Sequence, residues 1–297
     1  MYILGITILG LLIYKIGLSE IINNIRSMEL IYLPIIIVLF AIILFLGSLS
    51  IAVLVKPIKN ISLISIIKYY CISWSFALIA PGRLGDLSII YFLKKDGIKI
   101  GQGLALTLID KIITLIILFF FASTSLFLFF PIDLAVRIFF IFLVIGILGV
   151  ITIYSPIGRK FIKKSILRKH EIHFIGFWKT SKSYFKDHIN LIFVNIMITL
   201  MRLISTALMG YFIFLSIHVS INLLYVLLIT STVLILSMIP ISINGLGIKE
   251  FVYIYLFNQL GITPEATLSK SLIELILTYI YGAALTIGFG KEIISKD

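Results

Sequence analysis

Residues 81–110, PGRLGDLSIIYFLKKDGIKIGQGLALTLID, bring proline, glycine, arginine and carboxylates into a chain that is otherwise mostly lipid-soluble. Pro81, Gly82 and Gly85 break the apolar helix that precedes them. Irregular backbone at membrane depth survives only where it is buried in protein or lines a wet cavity. Charge beside such a break is a site candidate by default, and here the charged side chains are Arg83, Asp86, Asp110 and Lys111.

The same pattern returns later in the chain. Pro240 ends an apolar run as Pro81 does, and Asn244, Gly245, Gly247 and Lys249 lead to Glu250 as Gly82 and Gly85 lead to Asp86. From the acid onward the two segments run in register without a gap. A tyrosine follows after five residues (Tyr91, Tyr255), a Gly-Ile pair after eleven (Gly97, Gly261) and a second acid after twenty-four (Asp110, Glu274). With only 13 acids in 297 residues, two matched acids at one spacing mark an internal repeat, with halves at about 62–130 and 221–290.

A carboxylate inside a bilayer must be paired, hydrated or protonated. Asp86, Asp110, Glu250 and Glu274 therefore need partners, for which Arg83, Lys111, Arg202 and Lys249 are the nearby cations in sequence terms. Successive helical residues point about 100° apart, so Asp110 and Lys111 must each look to another segment. That favours a polar seam between the halves. The plainer alternative is that these charges only glue helices together and that the glycines only end them. Opened N–H groups at the glycines would equally suit a phosphate.

These residues need elements to carry them. At 61% hydrophobic and 13% charged, with mean hydropathy +1.19, the chain is not an ordinary soluble domain. Its apolar runs reach the ~20 residues that a helix needs to cross ~30 Å of hydrocarbon, without the alternation of a β-barrel. The expectation is an all-α polytopic helical bundle with about eight transmembrane runs: 1–18, 32–55, 62–80, 101–130, 134–154, 189–217, 221–239 and 266–290. Gly47, Ser48 and Ser50 in the second point to close helix packing. The first run lacks a basic leader and a small-residue cleavage site, and reads as a retained helix.

Between Arg159 and Lys186 stand nine Lys/Arg and one acid, Glu171. By the positive-inside rule the loop 155–187 is cytoplasmic. It either lies on the inner leaflet as an amphipathic segment or is a solvated orienting loop. Four crossings separate the repeat motifs by hydropathy, which puts them on one side, while the basic first motif and the nearly neutral second favour opposite sides. Re-entrant motif helices reconcile the two. The net charge of +12 sits between spans and faces lipid headgroups rather than nucleic acid. His170 and His173 have no further ligands, and the single Cys71 forms no multi-cysteine site, so neither metal nor cofactor is expected.

PGRLGD with the Tyr, Gly and Asp110-Lys111 positions, and P-x-S-x-N-G-L-G-I-K-E at 240–250 with Gly261 and Glu274, resemble the paired motifs of the lysylphosphatidylglycerol synthase transmembrane region family. This is also called the flippase-like domain or UPF0104 family. The likeness covers nearly the whole chain, 1–297, as one domain. One departure is Asp86, where the family's first motif usually has Glu.

The resemblance implies a multi-pass plasma-membrane protein that handles anionic phospholipid or polyprenyl-phosphate-linked headgroups as a lipid flippase. Arg83, Lys249 and the glycine-opened backbone would meet phosphate, while the acids hold those cations or contact a cationic headgroup. The chain ends at Asp297 without an aminoacyl-transferase domain, so it is not expected to act as an enzyme alone. The alternative is a non-transporting anchor whose basic loop engages a separately encoded soluble glycosyltransferase or synthase.

Overall fold

The computed structural model describes residues 2–80, 84–154, 176–239, 242 and 244–294. Among these residues there are twelve α-helices and no strand. In chain order they are α1 (Tyr2–Ile16), α2 (Leu18–Arg26), α3 (Leu33–Val55), α4 (Leu63–Ile79), α5 (Ile89–Lys95), α6 (Ile100–Phe129), α7 (Ile132–Tyr154), α8 (Phe177–Asp187), α9 (Ile189–Ser216), α10 (Leu223–Ser237), α11 (Ile248–Asn258) and α12 (Pro264–Ile294). Short 3₁₀ turns at Leu30–Tyr32 and Leu84–Ser88 lead into α3 and α5.

The eight apolar runs of the sequence are all helical, but they are not eight equal crossings. Among the described residues five helices are long and apolar enough to span a bilayer, and α1 with α2 makes a sixth candidate bent by 86° at Gly17. The exceptions are α4, with 17 residues, and α10, with 15. At 1.5 Å per residue these fall short of ~30 Å of hydrocarbon.

Both short helices turn back. The α4 helix starts from a Ser62 cap whose hydroxyl accepts the Ser65 N–H at 3.2 Å, and the chain then breaks and returns as α5. Tyr69 stacks on Phe92 with ring centroids 5.5 Å apart, and Lys59, just before α4, donates to the carbonyl of Asp96, just after α5. Entry and exit therefore lie side by side. The second half does the same. Tyr225 at the start of α10 meets Phe129, while Tyr255 near the end of α11 stacks on the adjacent Phe130.

The repeat is written in the backbone as well as in the residue types. Gly97 and Gly261 both take left-handed φ angles, +83° and +79°. Each closes its short helix with the same two bonds: Gly97 N to Lys94 O and Ile98 N to Leu93 O, against Gly261 N to Asn258 O and Ile262 N to Phe257 O. One turn past the second acid, Thr114 donates to Asp110 O and Thr278 to Glu274 O. Contacts follow a pseudo-twofold plan. Helices α3 and α9 pack along each other, α4 packs on α12, and α10 on α6.

Helix α9 runs antiparallel to α3: Asn195 near the start of α9 donates to Ser50 O near the end of α3, and Ser216 O at the end of α9 accepts from Glu29 N just ahead of α3. The hairpins that follow these two helices therefore enter from opposite ends of the bundle, an inverted arrangement. The close α3–α9 contact rests on small residues, with Ser48 and Ser50 fully buried, while Gly47 faces α4, where a Cβ would fall 2.1 Å from the Tyr70 hydroxyl. Helix α8 is amphipathic and lies where α3 ends and α6 begins. Its buried Tyr184 donates to Leu54 O, and burial pushes that phenol's pKa up. Of the expected basic loop 155–187, residues 155–175, with His170 and His173, lie outside the described residues.

Candidate functional site

Each hairpin tip brings a break to the middle of the bundle. In the second, Asn244, Gly245 and Gly247 have φ angles of +48°, +74° and +81°, a left-handed run that favours Gly and Asn. Glu250 turns back to accept the Gly247 N–H at 2.6 Å and caps α11. A Cβ on Gly247 would come within 2.7 Å of Gly5 O, because α1 presses on this tip. At the first tip a Cβ on Gly85 would lie 2.3 Å from Ala77 N, so the 3₁₀ turn is seated directly on the end of α4. Pro81, Gly82, Arg83 and Pro240 lie outside the described residues.

Between the tips is a cavity of about 170 Å³. Lys111, Arg202, Asn244, Lys249 and Glu274 all line it, drawn from both halves and from α9, together with Tyr70, Trp74, Thr114, Thr199 and Ser237. Asp86, Asp110 and Glu250 do not line this space. The first two stand behind it: Asp86 accepts from Lys111 Nζ at 2.7 Å, and Asp110, 1% exposed, accepts from Asn195 Nδ2 at 3.2 Å. The neighbours Asp110 and Lys111 thus part to different segments, as their angular offset requires.

Arg202 donates to Thr114 at 3.0 Å and to the Tyr70 hydroxyl at 3.4 Å. Asn195 also donates to Ser50 O at 3.0 Å, which ties α3, α6 and α9 into one polar seam. Hydrogen bonds of this sort between membrane helices contribute about 0.6–1.7 kcal/mol each.

Lys270 is absent from the residues singled out in the sequence, yet it is the most buried cation here, 1% exposed. Its ammonium lies 2.5 Å from Glu274 Oε2 and 4.1 Å from the centre of the Tyr253 ring. The spacing Lys270-x-x-x-Glu274 within an apolar helix was the available signal. Asn195, Thr199, Tyr70 and Thr114 carry no motif and are found only by folding.

The lining holds three cations and one carboxylate, and that carboxylate is already engaged by Lys270. The arrangement suits an anion with several acceptor oxygens. Among the described residues no group of three or more His, Cys, Asp or Glu is placed to hold a metal ion.

The lysylphosphatidylglycerol synthase TM region family matches residues 2–285. A UPF0104 membrane protein of Methanocaldococcus jannaschii is 24% identical over 221 residues, covering 70% of this chain and 91% of that protein. No solved structure matches. Since the family match takes in both hairpins, the seam and the cavity between them, the chain belongs to the lysylphosphatidylglycerol synthase TM region family.

Proposed function

We propose that this protein is a lipid flippase of the plasma membrane, acting on an anionic phospholipid or a polyprenyl-phosphate-linked headgroup. The observation that carries this reading is the cavity lined by Lys111, Arg202 and Lys249 where two inverted re-entrant hairpins meet. Inverted repeats with broken helices hold substrate at the bilayer midplane and can open to either face by rocking of one half against the other. A cavity of about 170 Å³ takes a phosphate-sized headgroup while the acyl chains stay in lipid. Arg202 and Lys249 meet the phosphate, and Asp86 holds Lys111 in position.

Charge supports the orientation. Around the mouth of the first hairpin lie Lys56, Lys59, Lys94, Lys95, Lys99, Lys179, Lys182 and Lys186, against Asp96 and Asp187. The other face carries Lys15, Arg26 and Arg137 against Glu20, Glu29, Asp133 and Glu265. The first hairpin then opens to the cytoplasm and the second to the outside.

The test is movement of a fluorescent phosphatidylglycerol or polyprenyl phosphate in proteoliposomes, read by quenching from outside. The expected result is protein-dependent exchange that is lost in Arg202→Gln and Lys249→Gln. Equal rates with and without protein for both lipids would overturn the reading. A second reading, a membrane anchor for a soluble enzyme, draws on the exposed basic face of α8, Lys179, Lys182 and Lys186, with Phe185 exposed beside them. Stoichiometric co-purification that is lost when these lysines are neutralised would favour it.

A further inference from the structure

Helices α3 and α9 lie along each other, and α3 leads into the first hairpin as α9 leads into the second. On the face where α9 ends and α3 begins, the backbone bond from Glu29 N to Ser216 O, 2.8 Å, joins them. His218 stands beside that bond. Its Nδ1 lies 3.1 Å from Glu29 Oε1 and its Nε2 3.1 Å from Ser27 O. One side chain of the connection after α9 thus holds two groups of the connection ahead of α3.

The helix end by itself does not call for that side chain. His218 closes α9 with bonds from His218 N to Leu215 O and from Val219 N to Phe214 O, and Gly97 and Gly261 close α5 and α11 with the same pair. Such an end takes a left-handed residue, most often glycine. His218 adopts φ +62° there, a conformation that strains a residue with a Cβ. The turn gains nothing from an imidazole, whereas the seam to α3 gains two contacts.

Those contacts set the protonation state. A carbonyl oxygen only accepts hydrogen bonds, and so does an ionised carboxylate. Neutral imidazole has one N–H and turns a lone pair toward one of the two oxygens, while imidazolium donates to both. Histidine is the side-chain type that changes charge between pH 5 and 8, and both side chains are about half exposed, 57% and 46%, so protons reach them from solution. The other titratable groups on the elements that meet here are Glu20 and Arg26 on α2, Tyr32 in the 3₁₀ turn, Tyr211 on α9, Tyr225 on α10 and Glu265 on α12. None is of a type that changes charge in that range.

We propose that His218 is a pH-operated clamp between the two halves, closed on Glu29 and Ser27 when the solution at this face is mildly acidic and released as the ring loses its proton. Protonation of the ring favours the closed form, so closure is greatest at the acid end of histidine's range, as long as Glu29 stays ionised, and is lost as the pH rises through it. The halves of inverted-repeat transporters rock against each other, and a clamp across α3 and α9 holds one face shut. Closure is read without lipid movement, so the clamp stands or falls separately from the flippase reading.

Spin labels at Asn23→Cys and Ser220→Cys, both exposed and on opposite sides of the clamp, read it by continuous-wave and pulsed electron paramagnetic resonance. The full chain carries Cys71→Ala and sits in nanodiscs of phosphatidylglycerol and phosphatidylcholine. Between about pH 8 and about pH 5.5 the distance distribution should narrow and shift to the shorter population. His218→Gly suits the left-handed helix end and removes the ring, so it should fold and stay broad at both pH values. Glu29→Gln should stay narrow at both, because its amide donates to Nδ1 of a neutral ring whose Nε2–H keeps Ser27 O. A distribution that does not change with pH, a change that survives His218→Gly, or a Glu29→Gln response like that of the parent chain overturns the proposal.

Discussion

Lys270 Nζ and Glu274 Oε2 lie 2.5 Å apart on successive turns of α12, with the Tyr253 ring closing over the ammonium. The pair is intramembrane, the lysine is 1% exposed, and a Cβ on Gly210 would fall 3.3 Å from Lys270 Cε. Helix α9 therefore leaves room for a charge that the sequence of α12 supplies. Removing one partner strands the other.

Lys270→Met is expected to destabilise the protein by about 2.5–3.5 kcal/mol, the cost of an orphaned charge at mid-helix. The double variant Lys270→Met with Glu274→Gln should regain most of that. Thermal unfolding in nanodiscs measures it; additive losses in the double variant would show that the two side chains do not act as a pair.

Headgroup recognition by Arg202 and Lys249 gives a second expectation. Hydrogen bonds to charged groups contribute about 1.5–3 kcal/mol, so Arg202→Gln and Lys249→Gln should each weaken binding of soluble glycerol phosphate by about tenfold or more. Calorimetry on the detergent-solubilised chain checks this. Glu250→Gln, which keeps an oxygen acceptor for the Gly247 N–H, should leave that affinity nearly unchanged.

The inverted arrangement predicts opposite labelling. In a Cys71→Ala background, a cysteine at Lys95 should react with an impermeant maleimide only from the cytoplasmic face, and one at Gln259 only from outside. Labelling of both from one side would mean that the hairpins share a face.

Gly85 and Gly261 should differ in how they fail. A Cβ on Gly85 meets the backbone of Phe76 and Ala77 within 2.3–2.5 Å, and backbone in a packed helix cannot give way. Gly85→Ala should abolish monodisperse protein in size-exclusion chromatography. Gly261→Ala meets nothing within 4 Å but carries φ +79°. It should fold with a loss of about 1 kcal/mol, the scale of the left-handed penalty.

Much of the architecture was legible in the residues. Long apolar runs have one cheap conformation in hydrocarbon, so helices and their approximate bounds follow from composition alone. The repeat was legible because its markers are backbone constraints and scarce charges. Gly97 and Gly261 close equivalent helix ends, and Asp110 and Glu274 sit at equivalent depths. An apolar run of 17 residues does not say whether it crosses or returns, since hydropathy has magnitude but no direction. The contact from Lys59 to Asp96 decided that, and the antiparallel packing of α3 on α9 decided the inversion that sequence left open between two counts.

The site divides in the same way. Sequence alone determined which charges enter the membrane and that Asp110 and Lys111 must part. It held no record of where each one goes, because Asp86, in the 3₁₀ turn, meets Lys111 on α6, and Asp110 meets Asn195, 85 residues further along the chain. Glu250 read as a headgroup contact, yet a free N–H one turn away is the nearer partner and the carboxylate takes it. Desolvation decides these pairings: in a medium without water each charge takes the best donor or acceptor that tertiary packing delivers, and only the folded chain fixes which one that is.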